Sequence, residues 1–282
     1  MTKDQRSVAE RVRHGMDRLT PTERKAAHVL LAHYPMIGLE TVSAFAQRAH
    51  VSAPTILRFV SRMGFAGYPE FQRQLRGEID ARLLPPLAKT SVVPGGDFDP
   101  DHFLSRFHRA LAANMTETFA RLPPAEFESA VALLASSRRV FTVGGRFTDS
   151  IARYLAAHLR IVRPGVTHLT GQYDNWRDQL LDIGKKDVLV VFDVRRYQED
   201  LGQFAALAAQ RNATVVLFTD QWLSPIARHA AHVLAARIAA PSTWDSNAAV
   251  LALAEALVTA ATERLWPIAS TRIKRLEALR GE

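Results

Sequence analysis

Between Thr41 and Phe65 the apolar positions recur at three- and four-residue intervals in two short runs, interrupted by His50, Val51 and Ser52. Phe45, Ala46 and Ala49 fall on one face of a first helix, and Ile56, Phe59, Val60 and Met63 form the stripe of a second. Ser52 stands where the second helix needs a cap, Pro54 is tolerated in its first turn, and Gly64 follows as a left-handed stop. Small Ala46 lets the helices approach closely, and Val51 plugs the corner. Two short helices packed about a tight turn predict a helix-turn-helix. The turn position favours glycine and holds His50, a residue type that enters the left-handed region more readily than most.

The same spacing organises the flanks. Val8, Val12, Met16 and Leu19 predict a helix over 7–19, and Thr20, Pro21 and Glu23 start the next, which runs through Ala26, Val29, Leu30 and His33 to Pro35. A helix from about Pro69 is expected to bury Phe71, Leu75 and Ile79. Pro85, Pro86 and SVVPGGDFDPD read as a linker over 85–100, separating a domain of residues 1–84 from one of residues 101–282. Helices over 101–122, with Phe103, Phe107, Leu111 and Met115 along one side, and over 124–135 open the second domain.

From Arg139 the period changes. VFTVGG, DVLVVFD and ATVVLFTD are almost continuously apolar and alternate with the helical TDSIARYLAAHLRIV and LGQFAALAAQ. That alternation predicts a buried parallel sheet covered by helices. VTHLTGQYDNWRDQLLDIGKKD is too polar at its start to assign. SNAAVLALAEALVTAATERLW is apolar nearly all round and predicts a helix buried against the sheet or a second subunit, and the basic TRIKRLEALR predicts a solvated helix. The expected fold has two domains, an all-α helix-turn-helix bundle followed by an α/β parallel-sheet sandwich.

Composition narrows the chemistry. The 282 residues suffice for two cores, and the absence of cysteine removes disulfides, thiolate metal sites and cysteine nucleophiles. The polar N-terminus lacks a signal-peptide core and no apolar run reaches membrane-spanning length, so a cytoplasmic location without membrane contact is expected. The formal net charge is +8. Residues 1–84 hold 13 Lys and Arg against 8 Asp and Glu, so most of the excess accompanies the helix-turn-helix, as a polyanionic partner requires.

Double-stranded DNA is that expected partner. Ser52, Ala53, Thr55, Arg58, Ser61 and Arg62 are assigned to the exposed face of the second helix. Arg58 is assigned to base reading, and Ser52 and Thr55 to the phosphate backbone. In the sheet domain, ligands bind beyond the carboxyl ends of strands, which singles out the loops Gly144 to Thr148, Asp193 to Gln198 and Thr219 to Ser224. Within them Gly145, Arg146, Phe147, Thr148, Asp193, Arg195, Arg196, Gln198, Thr219 and Ser224 are the candidate ligand-binding residues, with His168, Tyr173 and Asp174 as further lining. The arginines suit phosphate or carboxylate, with Asp193 orienting an arginine or accepting sugar hydroxyls. Equally, Asp193 and Arg195 or Arg196 are able to pair internally and close the pocket. The histidines show no metal spacing, and no cofactor is implied.

ERKAAHVLL and TVSAFAQRAHVSAPTILRFVSRMGFAGYPEFQRQL resemble the N-terminal domain of the RpiR/MurR transcriptional regulators, whose second half is a sugar isomerase (SIS) domain. Ser52, Thr55, Arg58, Phe59, Gly64, Phe65, Gly67, Tyr68 and Phe71 carry the match. The resemblance implies operator binding as a homodimer or homotetramer, controlled by a small anionic effector such as a sugar phosphate or sugar acid. The ligand loops depart from the family pattern. Val143, Gly144, Gly145, Arg146 and Phe147 replace a glycine–x–glycine–x–serine turn, and Asp193 to Gln198 replace a serine–x–serine–glycine–x–threonine phosphate loop. Thr219, Ser224, Pro225 and Ala227 keep the third. Two other functions fit the same chain. One is a sugar-phosphate isomerase, for which Glu199 and Asp200 are the nearest carboxylates but match no catalytic position, so no catalytic residue is assigned. The other is a repressor whose sheet domain only oligomerises.

Overall fold

The computed structural model describes residues 6–83, 100–171 and 173–281. The chain forms two compact units, Met1–Pro85 with Gln221–Arg228, and Pro86–Asp220 with His229–Glu282. The linker expected over 85–100 lies, up to residue 99, outside the described residues.

The first unit is helical. α1 (Val8–Gly15) opens on a capping box in which Ser7 Oγ accepts from Glu10 N and the Glu10 carboxylate accepts from Ser7 N. The helix expected over 7–19 ends at Gly15, and a 3-10 turn, Met16–Arg18, completes the segment. α2 (Pro21–Ala32) opens on a second full capping box, made by Thr20 and Glu23. α3 (Val42–Arg48) and α4 (Ala53–Arg62) are the two short helices, followed by α5 (Tyr68–Leu83).

Both short helices end in the same way. His50 takes φ 52° and Gly64 φ 86°, and each left-handed residue turns the backbone so that the next N–H reaches back into the helix. Val51 N donates to Ala46 O at 3.0 Å, and Phe65 N to Val60 O at 3.3 Å. Phe45, Ile56, Phe59 and Val60 are fully buried, and Phe45 meets Phe59 edge to face with centroids 6.4 Å apart. At the end of α5 the expected inward residue, Ile79, is only half-buried. Glu78 points inward instead. Its carboxylate accepts from Val8 N at 2.9 Å and from the Tyr34 hydroxyl, and burial raises the pKa of both Glu78 and Tyr34.

The second unit opens with α6 (Pro100–Arg121) and α7 (Pro124–Ser136). Phe103, Phe107 and Leu111 on α6 are half-buried and Met115 is exposed, so the expected apolar seam is weak. Asn114 and Thr118 are the buried positions. Asn114 Nδ2 donates to Ala239 O at 2.6 Å, and Thr118 Oγ1 accepts from Arg237 N at 2.8 Å.

Then come β1 (Val140–Gly144), α8 (Asp149–Val162), β2 (Val166–His168), α9 (Tyr173–Gln179), β3 (Val188–Phe192), α10 (Glu199–Gln210), β4 (Thr214–Asp220), β5 (His232–Ala236), α11 (Ala248–Arg264) and α12 (Trp266–Arg280). The five strands are parallel in the order β2-β1-β3-β4-β5. Every residue of β1 and β3 is buried, as near-continuous apolar strands require. β2 and β5 were not anticipated. Ala249, Val250, Leu253, Ala254, Leu257 and Ala261 of α11 are buried. The basic tail is the largely exposed α12, tethered where Arg272 donates to Arg160 O and Ile161 O at 2.7 and 2.9 Å.

From β1 the chain crosses to β2 on one side and then returns to β3 on the other. The order therefore reverses between β1 and β3, and a cleft opens beyond their carboxyl ends.

Candidate functional site

On α4, Ser52, Arg58 and Ser61 are exposed and Ala53 is half-exposed. Pro54 and Leu57 share that face; their spacing from Arg58 and Ser61 would have indicated it. Thr55 does not share it. It is buried, and its Oγ1 lies 2.9 Å from Ser52 Oγ and accepts from Arg58 Nη2 at 3.2 Å, so it positions its two neighbours. Ser52 occupies the cap position but makes no side-chain cap bond, because its hydroxyl is turned to Thr55. Arg62 is partly committed inward. It donates to Arg18 O at 2.9 Å and lies 3.3 Å from the buried carboxylate of Glu23, tying α4 to α2.

The cleft between β1 and β3 holds a cavity of about 480 Å³, a volume suited to a small metabolite. Gly145, Arg146, Phe147, Thr148, Asp193, Arg195, Arg196 and Gln198 line it, all expected. Its first wall is a 3-10 turn, Arg146–Thr148, entered with Arg146 at φ 46°. Gly144 lies so close to the start of α8 that a Cβ would meet Asp149 N and Cα at 2.6 Å. Thr148 Oγ1 is 2.8 Å from both Gly145 O and Phe192 O, so its proton serves the backbone.

The second wall is Asp193–Gln198. Arg195 and Arg196 take φ of 27° and 61°, a pair of left-handed non-glycine residues at roughly 1–2 kcal/mol each. Asp220, buried at the end of β4, holds them there: it accepts from Arg195 N at 2.7 Å and from the Tyr197 hydroxyl at 2.8 Å. Asp193 Oδ1 accepts from Gln198 N at 3.3 Å. Arg195 is buried and pairs with Asp245 at 3.2 Å.

Thr243, Trp244, Asp245 and Asn247 form a third wall that was missed, with Val194. The available signal was a tryptophan set among capping residues, STWDSN, before an apolar helix. Thr148, Gln198 and Asn247 stand at the N-termini of α8, α10 and α11, so three helix dipoles present their positive ends along one cavity. Arg146 and Arg196 are exposed, and no ion pair engages either among the described residues.

Two expected residues lie elsewhere. Thr219 is fully buried and donates to Asp193 O at 2.8 Å; Ser224 Oγ accepts from Ile226 N at 3.1 Å within a 3-10 turn. His168 is off the cavity as well, its imidazole set between Thr142 Oγ1 at 3.0 Å and Asp149 Oδ1 at 3.2 Å. Burial lowers its pKa, against a partial opposing pull from Asp149. The side chains of Tyr173 and Asp174 lie outside the described residues. Glu199 and Asp200 do not line the cavity, and Asp200 Oδ1 is taken up by Leu201 N and Gln198 Nε2. Among the described residues no group of three or more His, Asp or Glu is placed to hold a metal, and no helix is long and apolar enough to cross a membrane.

A helix-turn-helix unit joined to a parallel α/β unit with a cationic cavity at its switch point defines a class of two-domain DNA-binding protein. The model for the helix-turn-helix domain of the rpiR family matches residues 6–82, and that for the SIS domain matches residues 133–260. The chain belongs to the RpiR family of helix-turn-helix transcriptional regulators with a SIS domain. It is 27% identical over 225 residues to the HTH-type transcriptional regulator HexR of Pseudomonas aeruginosa, covering 79% of this chain and 76% of that one. The sugar isomerase domain of an RpiR transcription factor from Sphaerobacter thermophilus superposes with a TM-score of 0.60 at 24% identity, over 63% of this chain and 99% of that one. NanR of Vibrio vulnificus, solved in complex with ManNAc-6P, superposes with a TM-score of 0.55 at 16% identity, over 97% and 98% of the two chains.

Proposed function

We propose that this protein binds an operator in double-stranded DNA as a homodimer or homotetramer and that a small anionic metabolite, held in the β1/β3 cavity, sets its affinity for that operator. On α4, Arg58 reads a base edge, while Ser52, Ala53 and Ser61 contact the groove beside it and Thr55 holds Arg58 in place. Two such units on a two-fold axis fit half-sites about 34–36 Å apart, or multiples of that.

The observation that carries the sensing role is Arg146 and Arg196, two arginines without ion-pair partners among the described residues, on a cavity flanked by three helix N-termini. Guanidinium forks and helix ends both favour an anion. Gly145, Phe147, Gln198 and the buried Asp193 complete the wall, and Arg195 stabilises it through Asp245. NanR's complex makes ManNAc-6P a natural first probe.

The test is thermal unfolding of the full chain against sugar phosphates and sugar acids, with operator affinity measured alongside. A ligand at a hundred times its dissociation constant adds about 2.7 kcal/mol to native stability. The expected result is a shift that disappears in the Arg146→Ala, Arg196→Ala double variant, and a ligand-dependent change in operator affinity. A shift that survives the double variant would remove the arginines from the site. A bound ligand that leaves operator affinity unchanged would remove the regulation, because switching needs differential affinity for two states.

A further inference from the structure

Two large rings stand open at the cavity. Phe147 is 63% exposed and Trp244 57% exposed, although both line its wall. They meet edge to face, with centroids 5.8 Å apart and planes at 78°, so each keeps ring surface free for a third partner. Neither residue owes its position to chance along one loop. Phe147 belongs to the turn after β1, and Trp244 to the segment before α11, which the Arg195–Asp245 pair ties to the turn after β3. The Arg146 guanidinium lies 5.7 Å from the Phe147 centroid, so positive charge and ring surface are side by side.

Two polar side chains of the wall are spent within the protein. The Thr148 proton goes to backbone carbonyls, and the Gln198 amide nitrogen goes to Asp200, leaving Gln198 Oε1 as an open acceptor. A ligand covered with hydroxyls must match each of them to the remaining groups, Thr243, Asn247 and Gln198 Oε1, because each unmatched hydroxyl forfeits its bond to water. A ligand with one anionic group and one flat apolar face loses little there and gains two aromatic contacts.

We propose that the occupant of this cavity is an aryl anion, with its phosphate or carboxylate held by Arg146 and Arg196 and its aromatic ring packed against Phe147 and Trp244. The proposal rests on the anion-sensing role and names the substrate class. Phe147 and Trp244 are its specificity-determining residues.

Five probes separate the terms when titrated into the full chain by calorimetry: phenyl phosphate, ethyl phosphate, phenylacetate, acetate and glucose 6-phosphate. Phenyl phosphate is expected to bind at least tenfold more tightly than ethyl phosphate and glucose 6-phosphate, or phenylacetate at least tenfold more tightly than acetate. That advantage should vanish in Trp244→Ala and in Phe147→Ala and persist in Trp244→Phe. If glucose 6-phosphate binds as tightly as phenyl phosphate, or the ring advantage survives both alanine variants, the aryl proposal falls and anion sensing stands. If none of the five binds, both fall. Size-exclusion chromatography guards the remaining case: a changed oligomeric state in Trp244→Ala or Phe147→Ala would assign the rings to a contact between subunits and overturn the proposal.

Discussion

Gly144→Ala puts a single methyl where the strand and helix of the cavity turn touch. The added Cβ would stand 2.6 Å from Asp149 N and Cα and 2.7 Å from Thr148 C. Ordinary carbon contacts are about 3.5–4.0 Å, so α8 must retreat by roughly 1 Å. The obstacle is backbone, which cannot rotate away like a side chain. Overpacking of this kind costs about 1–3 kcal/mol, and the loss of unfolded-chain freedom returns about 0.4–1 kcal/mol, leaving a net loss of roughly 1 kcal/mol. Trp176, Trp244 and Trp266 lie in the second unit and Trp222 alone in the first, so urea unfolding followed by tryptophan fluorescence in a Trp222→Phe background reports the second unit. At a slope of about 2 kcal/mol per molar, the midpoint should fall by about 0.5 M. The retreat should also loosen Thr148 from Phe192 O and weaken ligand binding. An unchanged midpoint would refute the close-packing argument. The matched control is Gly77→Ala in α5, where a Cβ meets nothing within 4 Å; there helix propensity predicts a gain of about 0.5–1 kcal/mol, read by circular dichroism.

The remaining predictions separate roles that adjacent residues share. Arg58→Ala should relax base preference in an operator panel by about 1–3 kcal/mol at one position, and an unchanged sequence ranking would end its assignment to base reading. Arg62→Ala should instead lower the unfolding midpoint of the helical unit, because the buried Glu23 carboxylate loses its partner; unchanged stability with weakened operator binding would return Arg62 to the DNA face. His168, buried with a lowered pKa, favours the neutral form in the fold, so its contribution is complete above its ordinary pKa of 6.5 and is lost as pH falls through the lower folded value. The thermal midpoint should therefore drop on acidification below pH 6.5, and a His168→Gln protein with the same slope would show that other groups carry it. Asp187 feels burial pushing its pKa up, outweighed by bonds from Arg138, Gly184 N and Arg139 that bring it below 3.8; its contribution is present above pH 3.8 and lost below, and Asp187→Asn should flatten that limb of the stability profile.

How far each element was legible follows from how many sides bury it. α3 and α4 pack one stripe each into a single core, so Phe45, Ile56, Phe59 and Val60 announced them, and the stops at His50 and Gly64 were readable because left-handed backbone restricts residue choice. β1, β3 and β4 have a strand on either side and helices above and below, which leaves continuous apolar runs. β2 and β5 are the edges of the sheet. β2 has only three residues, one of them exposed, and neither edge strand carries the run that signals a central one. The α6 seam misled for a different reason. Phe103, Phe107, Leu111 and Met115 have helical spacing, but the helix docks through Asn114 and Thr118, whose partners are backbone groups more than a hundred residues away.

The cavity loops divide on the same logic. The rule that ligands bind beyond strand ends singles out every loop on that edge, whereas a cleft forms only where the strand order reverses. Gly145 to Thr148 and Asp193 to Gln198 follow β1 and β3, which flank the reversal, and they line the cavity. Thr219 closes β4, which lies one strand beyond it, so its hydroxyl serves Asp193 O instead. The wall of Thr243 to Asn247 follows no strand of the β1/β3 pair, and its only local mark is the tryptophan among capping residues before α11. Its Asp245 distinguishes Arg195 from the other two arginines. By taking Arg195 into an ion pair it withdraws that charge, leaving Arg146 and Arg196 as the lining arginines without ion-pair partners among the described residues, and it sets Trp244 beside Phe147. One pair thereby builds both halves of the site, so Asp245→Ala should weaken phosphate and ring contacts together, whereas Arg196→Ala should weaken the phosphate contact alone.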